Sequence, residues 1–287
     1  ILGLSPWESH FSLWHRKRGL VGPVQESAEM EWGKRLEHAV ADKFFENHPE
    51  MYRLAGGTWT RSDRPWQVAN PDARAEVPMW DEEQQDGYDE RIVVEIKTAM
   101  YDTGWGQQGT DQIPVYYLCQ VRWYLSVLGL RRAYVAVLIG GSDYREYIVE
   151  RSESDEEILL TAGEAFIASI STGTRPDIDT HSETYQVIRE LHPEIDGSDC
   201  ELDPGIAEAY LLAEATSRLA EADLTGAKSR VLDAMGNAKY ALHADRKIAF
   251  RTARTRADGT PGTPYLQLSK TELDQIKNLT KEARNAA

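Results

Sequence analysis

Cysteine is scarce in this 287-residue chain. Cys119 and Cys200 are too few for a four-cysteine zinc or iron–sulfur site, and they make no disulfide framework for a chain this long. A reducing cytoplasm is therefore the expected location. Long apolar runs are missing too: the stretch Tyr134 to Ile139 falls far short of the roughly 20 residues of a membrane span, so no membrane partner is expected. No charged segment followed by an apolar one opens the chain, which argues against a secretory signal, and the first residue is Ile1, so further residues are expected upstream. Cations are outnumbered, with 32 Lys and Arg against 47 Asp and Glu and a formal charge of −15. That balance argues against a protein that coats nucleic acid, although it leaves room for a local basic groove. Gly-x-x-x-x-Gly-Lys and Gly-x-Ser-x-Gly are absent, and the seven histidines show no ligand spacing. Nucleotide hydrolysis and serine-type acyl transfer lose support.

The charge is uneven. Residues 1–150 carry 16 cations and 23 anions, residues 151–244 carry 7 and 19, and residues 245–287 carry 9 and 5, so only the C-terminal end is basic. Ser5-Pro6-Trp7-Glu8 reads as a capped start of a helix running to Arg18, and a second helix fits Gln25 to Asn47 with Gly33, Leu36, Val40 and Phe44 as its apolar stripe. Strands are expected at Tyr52–Thr60, Trp66–Ala69, Arg74–Val77 and Arg91–Thr98, the last two joined by the acidic loop from Asp81 to Gly87 as an antiparallel meander. A helix from Pro114 to Leu128, strands Ala133–Ile139 and Tyr144–Val149, and a helix Asp155–Ile170 follow. The fold class is α/β (α+β), a mixed central sheet flanked by helices, with a C-terminal extension of helices and short strands. Domains are expected at 1–175 and 205–287, with 176–204 as a linker or irregular excursion. Two helices meeting near Gly226 are expected in the extension, then strands Tyr240–His243, Lys247–Ala253 and Tyr265–Leu268 and a closing helix from Lys270.

The run Val93-Val94-Glu95-Ile96-Lys97 carries the most chemical information. Strand side chains alternate, so Glu95 and Lys97 share one face while Val94 and Ile96 enter a core on the other. A carboxylate that holds a divalent cation, beside an ammonium that orients water or steadies phosphoryl charge, suits metal-assisted hydrolysis. Alone, such a pair on a strand is an ordinary surface ion pair. A meander would place Asp72, in Asn70-Pro71-Asp72, next to Glu95, and Glu37 sits beside an apolar helical stripe where an unpaired carboxylate is costly. Three carboxylates and a lysine make a complete site for oxygen-loving Mg²⁺. Gln120 and Tyr124 share a helix face at i and i+4.

Leu2-Gly3-Leu4-Ser5-Pro6-Trp7, Gly33-Lys34-Arg35-Leu36-Glu37, Pro71-Asp72, Glu95-Ile96-Lys97-Thr98, Trp105, Ile113-Pro114-x-Tyr116-Tyr117 and Gln120-Val121-x-x-Tyr124-Leu125 occur in order. This series resembles the YqaJ-like viral recombinase family, relatives of phage lambda exonuclease within the PD-(D/E)XK nucleases, over roughly residues 1–170. The resemblance implies a PD-(D/E)XK core and an alkaline exonuclease that uses Mg²⁺, or Mn²⁺ in its place. It would degrade one strand of linear duplex DNA from the 5′ end and leave 3′ single-stranded tails for phage-type recombination in a bacterial host. It assigns Asp72, Glu95, Glu37 and the Ile96 carbonyl to the metal, Lys97 to the attacking water, and Gln120 with Tyr124 to support of the site. Double-stranded DNA ends, a single-strand annealing protein and a ring of three copies are the implied partners. Ala73 stands where many relatives have Gly. Arg16, Lys17, Arg18, Lys34, Arg35, Arg251, Arg254 and Arg256 are the candidate DNA-binding cations. An endonuclease of the same superfamily, a catalytically idle DNA-binding scaffold of that fold, and a partner-binding protein built around 205–287 are the rival readings.

Overall fold

The computed structural model describes residues 1–81, 86–256 and 259–286, which fall into two compact units, Ile1–Asp196 and Gly197–Ala287. The first unit runs α1 (His10–Lys17), α2 (Ala28–Asn47), β1 (Tyr52–Ala55), β2 (Trp59–Thr60), β3 (Val68–Ala69), β4 (Ala73–Asp81), β5 (Asp86–Ala99), α3 (Val115–Leu128), β6 (Arg132–Ile139), β7 (Asp143–Glu150), α4 (Glu153–Thr172) and α5 (Ser182–Leu191). Five strands form one sheet in the order β1-β4-β5-β6-β7. β5 and β6 are parallel, joined through α3, and the other neighbours are antiparallel. This is the mixed sheet flanked by helices that the hydrophobic pattern calls for. Val93, Val135 and Val137 pack with Val121 and Leu125 of α3 on one face, and Ile92, Val94 and Ile96 pack with Val40 and Phe44 of α2 on the other. Both faces are covered, so the middle of β5 reads as a continuous apolar run.

Several elements depart from expectation. The first helix starts at His10, not at Ser5. The Ser5 hydroxyl accepts from the Trp7 and Glu8 amides as a turn, whereas Ser9 caps the helix reciprocally with Ser12 and is held by a 2.6 Å hydrogen bond to Thr184. The second helix starts at Ala28 with Ser27 as its cap, not at Gln25. The strand expected over Tyr52–Thr60 breaks at Gly56-Gly57 into β1 and β2. β4 and β5 extend to Asp81 and from Asp86, and the rest of the expected acidic loop, 82–85, lies outside the described residues. Residues 176–204, expected as a linker or excursion, contain α5, whose Thr184 and Val187 are buried.

The second unit comprises α6 (Pro204–Met235), β8 (Tyr240–His243), β9 (Arg246–Thr252), β10 (Tyr265–Leu268) and α7 (Lys270–Ala286), with a sheet ordered β10-β9-β8. α6 runs through Gly226 without a break. One glycine costs a helix only about 1 kcal/mol relative to Ala, and this one lies in an Ala- and Leu-rich stretch.

Candidate active site

The site lies where β4 begins. The β4–β5 ladder runs from Asp81↔Asp86 to Ala73↔Val94, so β5 outruns its partner beyond Val94. The Asp72 side chain continues the ladder there: its Oδ2 accepts the Ile96 amide at 2.7 Å. The main chain of Asp72 is fixed from the other side by Gly56. A Cβ at Gly56 would stand 2.5 Å from the Pro71 carbonyl oxygen and 2.6 Å from that of Asp72, so only glycine allows this approach.

Glu95 and Lys97 project from β5 toward α3, as the alternation requires. Glu95 is 1% exposed. Its Oε1 accepts from Lys97 Nζ at 2.5 Å and from Gln120 Nε2 at 2.9 Å, and the Gln120 amide also donates to the Tyr124 hydroxyl at 2.9 Å. Gln120 and Tyr124 thus brace the carboxylate from one helix face. Glu95 Oε2 is buried with no hydrogen-bond partner among the described residues. Burial pushes the Glu95 carboxyl up to about 7, against the pull of Lys97 and with the Asp72 charge adding to the rise. Asp72 is also raised by burial, partly offset by Lys97 and the Ile96 amide. Burial alone would lower Lys97, but Glu95 and Asp72 outweigh it and favour the ammonium.

Asp72, Ile96 and Lys97 line a cleft of about 850 Å³, together with Glu37 of α2, Tyr117 of α3 and Trp7. Glu37 is half-buried and raised by desolvation and by the Asp72 charge. Among the described residues no three Asp, Glu, His or Cys side chains form a group able to hold a metal ion, so Glu37 faces the pair without joining it in one cage. Two adjacent carboxyls raised by burial, an orphaned carboxylate oxygen and a nearby main-chain carbonyl nonetheless form a hard-oxygen donor set. The oxygens of Asp72 and Glu95, with the Ile96 carbonyl, are of the kind that could hold a divalent cation.

Residues 1–131 match the model of the YqaJ-like viral recombinase domain. This is the family that the ordered motifs resemble. The uncharacterized protein YqaJ of Bacillus subtilis (strain 168) is 28% identical over 204 residues, 69% of this chain and 59% of that protein. The chain thus spans about three fifths of that relative's length. Two crystal structures of an alkaline exonuclease (LHK-Exo) from Laribacter hongkongensis, the second in complex with dAMP, are more distant. They are 15% and 13% identical, with TM-scores of 0.43 and 0.38, and each comparison covers 64% of this chain and 84% of the other.

The YqaJ-like region also carries residues that residue-by-residue reasoning did not single out. Tyr117 has Lys97 Nζ 5.0 Å from its ring centre, and Trp7, 58% exposed, packs on Tyr116 and Tyr117. Both stand in the ordered motifs, and an aromatic one turn before Gln120 was the available signal. Gly56 had only its Gly-Gly pair to mark it. The candidate cations divide sharply. Arg16 is largely buried and paired with Glu8 and Glu183, so it ties α1 to α5 and is not open to a phosphate. Arg18 donates to the Ile170 carbonyl, Lys34 pairs with Glu26, and Arg35 pairs with Glu31. Lys17 is exposed. In the second unit Arg251 donates to the Gly236 carbonyl, while Arg254 and Arg256 are exposed.

Proposed function

We propose that Ile1–Asp196 is the catalytic unit of a metal-dependent deoxyribonuclease of the PD-(D/E)XK type, acting on the ends of linear duplex DNA. Its direction is 5′ to 3′, and it leaves 3′ single-stranded tails for recombination. The observation that carries this reading is the junction of Asp72, Glu95 and Lys97 where β5 runs past the end of β4, opening on a cleft. The match of residues 1–131 to a viral recombinase family supports it. Asp72, Glu95 and the Ile96 carbonyl would hold Mg²⁺ or Mn²⁺, with Glu37 beside them. When bound, the cation supplies Lewis-acid stabilisation of phosphoryl charge.

The side chains divide the remaining work. Lys97 is held in its charged form by two carboxylates, so it serves as a donor to the attacking water or to a phosphoryl oxygen and not as the base. Gln120, fixed by Tyr124, keeps Oε1 of Glu95 occupied and its Oε2 turned free. A single-strand annealing protein, a ring of three copies and a cytoplasmic location in a bacterial host complete the proposal.

The test is hydrolysis of 5′-phosphorylated linear duplex with and without Mg²⁺, against closed circular DNA. Degradation of the linear form alone, only with the cation, is the expected result. Cleavage of the circle would indicate an endonuclease, and no cleavage of either would indicate an idle scaffold. Cation binding needs a deprotonated Glu95, so the cation affinity, and with it activity at limiting cation, should fall as the pH drops below about 7.

A further inference from the structure

The sheet of Gly197–Ala287 has two unlike faces. Residues directly opposed in an antiparallel ladder share a face. The pairs Tyr240↔Phe250, Gln267↔Phe250 and Tyr265↔Thr252 therefore put Tyr240, Phe250 and Tyr265 on one side. The other side carries Ala249, which is buried, and Arg251, whose guanidinium donates to the Gly236 carbonyl at the end of α6. On the aromatic side Tyr240 is 43% and Tyr265 36% exposed, and Phe250 is half-buried between them.

Cations frame these rings. The Nζ atoms of Lys239 and Lys247 stand 5.3 and 4.4 Å from the centre of the Tyr240 ring. At the other end Arg254 and Arg256 share a cleft of about 380 Å³ with Thr255, Thr263 and Tyr265. Arg246 is held by Glu272 at 2.9 Å, but Lys239, Lys247, Arg254 and Arg256 have no carboxylate partner among the described residues. The backbone under the arginines is fixed. The Gly262 amide donates to the Arg254 carbonyl and the Arg256 amide to that of Thr260, both at 2.8 Å, and a Cβ on Gly262 would lie 2.9 Å from the Arg254 oxygen. Residues 239–256 hold six Lys and Arg against a single acid, Asp245, in a chain of net charge −15.

Cations with no carboxylate partner among the described residues, around the exposed rings of Tyr240 and Tyr265, match one ligand chemistry in particular: a polyanion that also offers flat apolar faces. Duplex DNA has its bases stacked on one another and offers none. A single strand offers both, since its bases stack on aromatic side chains while its phosphates meet Lys and Arg. We propose that the aromatic face of the β10-β9-β8 sheet binds single-stranded nucleic acid, with bases on Tyr240, Phe250 and Tyr265 and phosphates at Lys239, Lys247, Arg254 and Arg256. This site stands whether or not the first unit hydrolyses DNA.

The test uses the full chain in chelator, with a labelled oligothymidylate of about 15 nucleotides, within the site sizes typical of such platforms, followed by fluorescence anisotropy at several salt concentrations. Tyr240→Ala with Tyr265→Ala should weaken binding by about 10-fold or more, and Tyr240→Phe with Tyr265→Phe should keep it within about 2-fold, because stacking needs the ring and not the hydroxyl. Arg254→Ala with Arg256→Ala should make the log–log salt dependence shallower by roughly 1.4, about 0.7 per lost phosphate contact. An abasic strand of the same length should bind the unaltered protein much more weakly. The proposal is overturned if the abasic strand binds as well as oligothymidylate, or if the alanine pair binds like the wild type with an unchanged circular dichroism spectrum.

Discussion

In Ile1–Asp196 both faces of the sheet are covered, and Ile92, Val93, Val94, Val135 and Val137 are wholly buried; in Gly197–Ala287 the 32-residue α6 has no buried residue, and Ala249 is the one buried apolar side chain among those described. The same contrast runs through the charges. The first unit locks its interior ions into fixed geometry, as with Glu95 and Lys97 or Arg16 between Glu8 and Glu183. The second leaves Arg254 and Arg256 exposed beside Tyr265. Burial is what prepares a reactive site, because it raises carboxyls and holds donors in place before substrate arrives. Exposure is what a surface needs if it is to grip a long flexible ligand by many weak contacts. The two units are proposed to serve different tasks, one chemistry and one holding.

The largest expected effect breaks the first unit's chemistry and leaves the second unit untouched. Asp72→Ala or Glu95→Ala should lower Mg²⁺-dependent hydrolysis by about 10²–10³-fold, since loss of one charge-stabilising group typically costs that much. Folding should survive, because each change removes a buried carboxyl that is raised in the native state. Near-normal activity in either variant would remove the site assignment. Lys97→Ala should lower turnover by roughly 10²-fold yet still bind Mg²⁺ by calorimetry, whereas loss of metal binding in a folded variant would show that Lys97 shapes the ligand set.

A smaller effect comes from a residue with no functional group. Gly56→Ala drives a methyl into the Pro71 and Asp72 carbonyl oxygens and must shift the turn that delivers Asp72. We expect a loss of about 1–3 kcal/mol in the first unit's unfolding free energy and a drop in hydrolysis of about 10-fold or more, with oligothymidylate binding unchanged. Unaltered melting and activity would mean that the turn relaxes freely.

How much of this was legible in the sequence follows from which interactions are local. The shared face of Glu95 and Lys97 comes from strand alternation, the Gln120–Tyr124 contact from helical spacing, and the approach of Asp72 to β5 from the meander, realised in the register Ala73↔Val94. What stayed hidden depended on distant partners. Ser5-x-x-Glu8 is the better capping box by pattern, yet Ser9 wins because Thr184, 175 residues away, holds it. Residues 182–191 look like polar linker until Thr184 meets Ser9 at the start of α1 and Val187 is buried. The role of Gly56 is a backbone contact with another loop, which no periodicity reports.

Hydrogen exchange would sharpen the contrast between the units directly. Amides of β5 and β6, inside a doubly covered sheet, should exchange only through global unfolding of the first unit, and those of α6 should exchange by local opening at rates higher by about 10²-fold or more. Equal protection in the two would show that α6 is covered in solution by another molecule.

The smallest expected effect is a pH dependence confined to the first unit. At the end of α2, His48 donates through Nε2 to Glu146 at 2.7 Å, and its Nδ1 stands 3.2 Å from Glu50. Burial alone would lower His48, but Glu146 and Glu50 raise it above its usual 6.5. Burial would raise Glu146, but hydrogen bonds from His48, Asn47 and Tyr144 hold it below the ordinary carboxylate value. The pair therefore stabilises the fold above the range where free carboxylates protonate and below about pH 6.5, and this contribution is lost as the pH rises through the raised His48 value. Partial exposure limits it to roughly a few tenths of a kcal/mol. His48→Gln also loses packing against Phe44 and Tyr134, a cost present at every pH. The informative quantity is therefore the wild-type minus variant difference in melting temperature, which should be largest near pH 6 and shrink by about pH 8. A difference that stays constant across that range would mean that His48 acts through its ring alone.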